Sequence, residues 1–115
     1  MKEAFIKTFL DIERADTQKQ RTVGLQNRDK LGDYEALLLD FDTHGSHSIW
    51  MKDTSIPLDI VFLSEGEVVA IREGVPNSTE KMTHSCDKVL ELNRGKASDL
   101  GISEGEDLSD VISDV

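Results

Sequence analysis

The chain has 115 residues, a formal net charge of −10 and an isoelectric point near 4.6. This length predicts one compact domain with a single modest core. The negative charge would repel phosphate backbones, which argues against a nucleic-acid partner, and the one cysteine, Cys86, excludes an internal disulfide.

The N-terminal stretch, MKEAFIKTFLDIERAD, mixes apolar residues with Lys7 and Asp11 and lacks a small-residue cleavage site. These features are typical of neither a signal peptide nor a membrane span. We therefore expect a cytoplasmic protein without a membrane partner. The part from Ala4 to Ala15 predicts a first strand, with an imperfect alternation of apolar and polar residues.

A short helix is predicted at residues 17–23. Thr17 and Gln20 have the spacing of a capping box, and Gly24 supplies a stop signal. The next apolar segment, EALLLDF, predicts a buried strand that ends at Phe41, and the following DTHGSH predicts a polar loop.

Two strands, SIWMK and LDIVFL, are predicted on either side of the connection DTSIP, because Pro57 forces Ile56 away from helical conformation. LDIVFL is apolar on both faces, so we expect it inside the sheet rather than at its edge. After a tight turn at SEGE, the pattern predicts a strand at VVAIRE, a long irregular loop at GVPNSTEKMTHSCD and a strand at KVLELNR.

The C-terminal part combines glycine-rich turns with acidic residues. GKASDLGISEGEDL predicts mostly turns, and residues 107–115 predict an acidic edge strand or tail whose charges discourage aggregation. Such acidity is typical of a solvated surface, although it could also dock a basic partner or hold divalent cations weakly. No Lys or Arg follows Lys96, whereas these acidic residues do: Asp99, Glu104, Glu106, Asp107, Asp110 and Asp114.

The pattern as a whole predicts about seven short strands and one short helix, in a mainly β fold of the sandwich or barrel type. Several motifs also occur in an order that resembles the domain of unknown function 192 family: GLQNRDKL, ALLLDF, IWMKDTSIPLDIVFLSEGEVVAI, the loop at Pro76, VLELNRG and GISEGEDL. The resemblance extends from about Glu13 to Asp107. It implies a compact single-domain β-sandwich of jelly-roll type, and it implies no activity, because none is established for the family.

Three departures from the family pattern are visible. Gln26 stands where the family usually has Met, EALLLDF replaces a Gly-Met-Leu-Phe run, and Gly105-Glu106-Asp107 replaces a Gly-Asp ending. The first two change the expected core or pocket lining, so a ligand of the family could be bound differently here or not at all.

The segment IWMKDTSIPLDIVF places polar residues inside an apolar pattern. In a strand, Trp50 and Lys52 share one side, where they could form a shallow pocket with an aromatic floor and a cation for an anionic ligand. Alternatively, Trp50 packs and Lys52 extends over it to solvent. Asp59 is expected to hold the corner by accepting backbone N–H bonds, and we expect Lys52 to lie across from it over a loop of residues 54–57.

Arg28 belongs to the GLQNR turn, where a guanidinium can form a forked ion pair with a carboxylate. We expect it to clamp Glu35, Asp59 or Glu91, or else the carboxylate of a ligand. The candidate ligand-binding residues are therefore Trp50, Lys52, Arg28 and Asp59.

The sequence offers little support for a metal site or for a catalytic nucleophile. His44, His47, His84 and Cys86 could together supply four zinc ligands, but their spacing matches no standard site, and lone surface histidines are the alternative. Cys86 could act as a nucleophile beside His84 or His47, yet no nucleophile elbow or phosphate loop is present. The sequence predicts no cofactor, no metal and no catalytic residue.

Two functions follow from these observations. The first is a small non-catalytic binding module with its site near Trp50, Lys52 and Arg28, for a small anion, a peptide end or a carbohydrate-like molecule. The alternative is a structural or interaction protein, an accessory component of a larger assembly that uses its acidic surface and edge strands. An enzyme ranks third.

Overall fold

A computed structural model describes residues 2–113 and 115. Its strands are β1 (Asp11–Ala15), β2 (Glu35–Ile49), β3 (Leu58–Ser64), β4 (Glu67–Gly74) and β5 (Met82–Asn93). Its helices are α1 (Lys2–Phe9), α2 (Gln18–Val23), α3 (Lys96–Asp99) and α4 (Ser109–Ile112). The strands form one mixed sheet in the order β1-β2-β5-β3-β4, in which β1 and β2 pair in parallel and the other neighbours pair antiparallel.

The sheet is covered on both faces, and each face has its own apolar cluster. Along β3, Val61 and Leu63 belong to the first cluster, whereas Leu58, Ile60 and Phe62 belong to the second. Because successive strand residues point to opposite faces, this apolar run serves both clusters. The prediction that this strand lies inside the sheet is confirmed, since β3 pairs with β4 on one side and with β5 on the other.

Helices cover the first face of the sheet, and connecting segments cover the second. Ile6 of α1, Ala97 of α3 and Val111 of α4 belong to the first cluster. The second cluster receives Leu25 from the turn after α2 and Met51 from the connection between β2 and β3. The second face is therefore closed by irregular chain, which leaves room for a cavity.

The helix expected at residues 17–23 is confirmed. The Thr17 side chain accepts a hydrogen bond from the Gln20 backbone N–H at 3.1 Å, and the Gln20 side chain accepts one from the Thr17 N–H at 3.1 Å. Gly24 ends the helix with a φ of 49° and a ψ of −125°, a conformation that side chains disfavour. Local hydrogen bonds thus define both ends of α2.

The strand expected over residues 4–15 is wrong in its first half, which forms α1. Ile6 and Leu10 both enter the first cluster, a spacing of four residues that buries one side of a helical turn. The Leu10 N–H donates to the Ile6 carbonyl at 2.8 Å, which closes the last turn. Strand conformation begins only at Asp11, where β1 pairs with Glu35 of β2.

The loop expected at DTHGSH and much of the irregular loop before Cys86 are strand instead. β2 runs on to Ile49 and pairs with β5 as far as Met82, with a break in register between Asp40 and Gly45. Asp42 has a φ of 65° at this irregularity. Polar residues suit this ribbon because its outer faces meet solvent, and the Ser48 and Thr83 hydroxyls bond across it at 2.7 Å.

The strand count and the sheet arrangement therefore need correction. Only Ser48 and Ile49 of the predicted SIWMK strand belong to β2, and the predicted KVLELNR strand is the second half of β5 apart from Arg94. About seven strands were predicted, whereas residues 2–113 and 115 contain five, and these form one sheet rather than the two sheets of a jelly-roll sandwich. Long strands that cross a polar segment explain the difference, because polar residues occur in solvent-facing strands as well as in loops.

The C-terminal segment is helical where an edge strand or tail was expected. α4 buries Val111 and Ile112, which are adjacent in sequence and therefore cannot share one face of a strand. Asp114, which belongs to the predicted acidic end, lies outside the described residues. Within residues 2–113 and 115, no helix has the length and apolar character that crossing a membrane requires.

Candidate functional site

A cavity of about 440 Å³ lies on the second face of the sheet. It is bounded by α2 and the turn after it, by the outer half of β2, and by the connection that leads to β3. Cavities of this size are typical of small-molecule sites. Its lining residues are Gln18, Arg21, Thr22, Val23, Gly24, Leu25, Gln26, Leu39, Phe41, Thr43, His47, Ser48, Ile49, Trp50, Met51, Thr54, Leu58 and Glu91.

Glu91 is the buried acid of this cavity. It lies in the middle of β5, paired with Leu37 of β2 and Ile60 of β3, and only 5% of its surface is exposed. A Cβ atom at Gly24 would lie 3.9 Å from Glu91 Oε1, which places the carboxyl beneath the turn after α2. Among the residues that the structure describes, none forms a hydrogen bond or ion pair with this carboxyl.

Burial raises the pKa of Glu91 from 4.5 to about 7. The cause is loss of water around the carboxylate, because the surrounding apolar cluster supplies no charge or donor in its place. A carboxyl group with this pKa exists in both protonation states near neutral pH. It can therefore either donate or accept a hydrogen bond toward a bound molecule.

Arg21 supplies a fixed cation on the cavity wall. Its Nη1 donates to the carbonyl of Asp16 at 2.6 Å and to the carbonyl of Asp40 at 2.8 Å. The guanidinium carbon also lies 5.4 Å from the centre of the Phe41 ring. Within the described part of the chain, Arg21 has no carboxylate partner, and its Nε and Nη2 donors make no hydrogen bond.

Aromatic rings form the rest of the outer wall. The His47 ring stacks on Phe41 with centroids 4.1 Å apart, and His47 Nε2 donates to the Thr43 carbonyl at 2.9 Å. Trp50 stands at the mouth with 37% of its surface exposed. Lys52 Nζ lies 5.3 Å from the centre of the Trp50 ring, within the range of a cation–π contact.

The structure separates the four predicted site residues. Trp50 lines the cavity, and Lys52 extends over its ring, as in the alternative in which Lys52 reaches solvent. Arg28 forms no ion pair with Glu35, Asp59 or Glu91, because its Nη2 pairs with Glu13 at 2.8 Å on an exposed part of the surface. The expected clamp of Arg28 on one of those three acids is therefore wrong.

Asp59 holds a turn, but not the one that was expected. Its Oδ2 accepts the backbone N–H groups of Gly95 at 3.0 Å and Ala97 at 2.9 Å, at the start of α3. In the sheet, Asp59 pairs with Leu92 of β5 on one side and with Glu73 of β4 on the other. The expected pairing with Lys52 is wrong, because residues 50–57 belong to no strand and cannot set a register.

The histidines and the cysteine have separate surroundings. His44 Nε2 lies 2.8 Å from the Ser64 hydroxyl, and the His84 ring packs against Phe62 at 4.5 Å. Cys86 is buried, and burial, with Asp87 as a lesser cause, raises the pKa of its thiol to about 11. In the described ranges, no three His, Cys, Asp or Glu side chains are grouped to hold a metal ion.

Two residues of the cavity were missed or misplaced by sequence reasoning. Glu91 entered only as a partner for Arg28, and Arg21 was not singled out. The signal for Glu91 was present in VLELN, where an acid interrupts a buried apolar strand. Arg21 had no such signal, because a helical arginine in a polar segment is ordinarily solvated.

Comparison with known proteins agrees with the fold. The model of the domain of unknown function 192 family, described as "Uncharacterized ACR", matches residues 2–109. A "putative transcription regulator" from Sinorhizobium meliloti 1021 is 33% identical, with a TM-score of 0.82 over 85% of this chain and 79% of that one. A protein of unknown function from Novosphingobium aromaticivorans DSM 12444 is 32% identical, with a TM-score of 0.80 over 85% and 73%.

No curated protein matches the chain. The family match nevertheless spans nearly all of it, and both crystal structures share its architecture at more than 30% identity. The chain therefore belongs to the domain of unknown function 192 family.

Proposed function

We propose that this protein is a small non-catalytic binding module whose ligand occupies the cavity beneath α2. The site keeps Trp50 and Lys52 at its mouth and has Glu91 and Arg21 in place of the expected Arg28. The single observation that carries the proposal is the carboxyl of Glu91, which belongs to a buried residue, opens onto the cavity and has no protein partner among the described residues.

A purely structural explanation of Glu91 is weak on energetic grounds. Its cross-strand neighbours, Leu37 and Ile60, are apolar, so a Leu or Met at this position would remove the desolvation cost and fill the space. The described residues include no fully buried side-chain N or O atom without a partner, so the Glu91 oxygens are accessible from the cavity. An accessible acid with a raised pKa in a cleft is typical of a functional site. A ligand that supplies the missing donor would offset the cost that folding leaves in place.

Binding is preferred over catalysis because of the residues that surround Glu91. An acid or base catalyst usually works with a second group within hydrogen-bond reach. In the described part of the chain, Glu91 has no such neighbour, and the buried Cys86 thiol is protonated at neutral pH. Arg21, which is held by two backbone carbonyls, is suited to orient a ligand rather than to transfer a proton.

The test is retention of a small molecule from the native cell. The protein is isolated under gentle conditions, and bound compounds are identified by native mass spectrometry. Gln26→Trp places a large ring in the cavity, and Thr79→Trp adds the same ring at an exposed position outside it. We expect a compound on the wild type and on Thr79→Trp that is absent from Gln26→Trp. A wild type that carries no compound, or equal retention by Gln26→Trp, would count against the proposal.

A second function, that of an interaction protein, is favoured by exposed aromatic rings at one end of the molecule. Phe5 and Phe9 are 51% and 55% exposed, with ring centroids 4.7 Å apart, and Phe9 lies 6.5 Å from Tyr34. Sedimentation of the wild type and of Phe5→Ser tests this alternative. A concentration-dependent assembly that Phe5→Ser abolishes would favour it over the binding module.

A further inference from the structure

The cavity carries two opposite charges that do not neutralise each other. Glu91 lies at its floor on β5, and Arg21 lies on its wall on α2. No ion pair joins them, and the raised pKa of Glu91 has burial as its only cause. No protein group joins the two charges, so a molecule with a charge at each end can take that place.

The Glu91 end calls for a cation with N–H donors. The carboxylate has about four acceptor positions and none of them is used among the described residues. An ammonium group supplies three donors and a full opposite charge. The protein's net charge of −10 further favours the approach of a cationic group.

The Arg21 end calls for a carboxylate. Two backbone carbonyls hold Nη1, so the planar group is already oriented and loses little freedom on binding. The remaining Nε and Nη2 donors form an edge that matches two carboxylate oxygens. Leu25, Met51 and Trp50 line the space between the ends and suit an apolar side chain.

The size of the cavity suits a ligand of one or two residues. A sphere of about 440 Å³ is about 9 Å across, and an extended residue spans ~3.5 Å. A dipeptide therefore matches the length of the cavity.

We propose that the cavity binds a small apolar zwitterion of the amino-acid or dipeptide class, with its ammonium group on Glu91 and its carboxylate on Arg21. This inference rests on the proposed function and names the ligand class of the same cavity. Among the described residues, the only other titratable side chain in the lining is His47 of β2, which stacks on Phe41, and β3 and the connection before it contribute none.

The test uses three related probes on the whole chain: leucyl-leucine, its N-acetylated form without the ammonium group, and its C-terminal amide without the carboxylate. Isothermal titration at neutral pH gives the affinity of each. We expect leucyl-leucine to bind the wild type at least about tenfold more tightly than either blocked form. In Glu91→Gln, acetylation should make little further difference, whereas the matched surface variant Glu104→Gln should behave as the wild type.

The pH dependence supplies a second readout with a definite sign. The ammonium group needs the ionised carboxylate, so affinity should rise as pH rises from about 5.5 to 7 and should be flat in Glu91→Gln. A ligand that prefers the protonated acid would show the opposite slope. Equal binding of the acetylated probe, or affinity that falls with rising pH, would overturn the inference.

The two proposals fail in distinguishable ways. If none of the three probes binds while the native protein still retains another compound in the cavity, the zwitterion inference is wrong and the binding module stands. If the cavity retains nothing from the cell and binds no probe, both proposals are wrong.

Discussion

Replacing Glu91 with Gln should make the protein more stable at high pH relative to the wild type. The carboxyl has a pKa of about 7 in the folded protein against 4.5 when unperturbed, because burial removes its water. The two values differ by about 2.5, and each pKa unit corresponds to ~1.36 kcal/mol, so the ionised form destabilises the fold by about 3 kcal/mol. Gln has nearly the same shape but never ionises.

The sign follows from which state binds the proton more tightly. Between about pH 4.5 and 7 the folded protein holds a proton on Glu91 that the unfolded chain has lost, so stability falls as pH rises through this window. Above about pH 7 both states are ionised and the loss is complete. The difference in unfolding free energy, Glu91→Gln minus wild type, should therefore grow by about 3 kcal/mol from pH 4.5 to 8.

Urea unfolding at several pH values measures this difference, provided that the dependence on urea stays the same in both proteins. All other titrating groups are common to both and cancel. Glu104→Gln removes the same charge from an exposed residue, and its difference from the wild type should stay nearly flat. A flat difference for Glu91→Gln, or equal slopes for the two variants, would refute the reasoning from burial.

The other predictions concern residues around the cavity and at the turns. Gly24→Ala should lower the free energy of unfolding, measured with urea, by about 1–3 kcal/mol, because the backbone at a φ of 49° is strained for a residue with a side chain. A clash is not the cause, since the new methyl would lie 3.9 Å from Glu91 Oε1. Asp59→Ala should lower the free energy of unfolding by about 2 kcal/mol or more, because the N–H groups of Gly95 and Ala97 would lose their acceptor. Lys52→Met should lower it by less than about 1 kcal/mol. The two changes should add within about 0.5 kcal/mol; a larger coupling would revive the discarded pairing of Lys52 with Asp59. Iodoacetamide should label Cys86 only as the protein unfolds, and rapid labelling of the native state would contradict its burial.

The sequence alone determined those features that depend on neighbours a few residues apart. Thr17, Gln20 and Gly24 define α2 through hydrogen bonds within one turn, and they do so wherever the helix sits. The apolar run of β3 on both faces likewise predicted an interior strand, because no edge strand needs two buried faces. The family resemblance also came from ordered motifs and was confirmed over residues 2–109.

Tertiary structure decided the features whose partners lie far along the chain. The N-terminal apolar residues suit a strand or a helix, and α1 forms because one side of it packs into a cluster shared with α4. Polar residues of β2 remain strand because β5 supplies their ladder bonds from some 40 residues away. Asp59 lies next to its donors, the N–H groups of Gly95 and Ala97, because the pairing of β3 with β5 brings these distant residues together.

The same reason explains the candidate site. An acid within VLELN signals something unusual, but local pattern cannot say whether a distant cation will neutralise it. Only the fold shows that Arg28 turns away to Glu13, that Arg21 is held by backbone carbonyls, and that Glu91 faces a cavity. The sequence determines which side chains can carry a charge, whereas the desolvation and pairing of those charges depend on which surfaces come together in space.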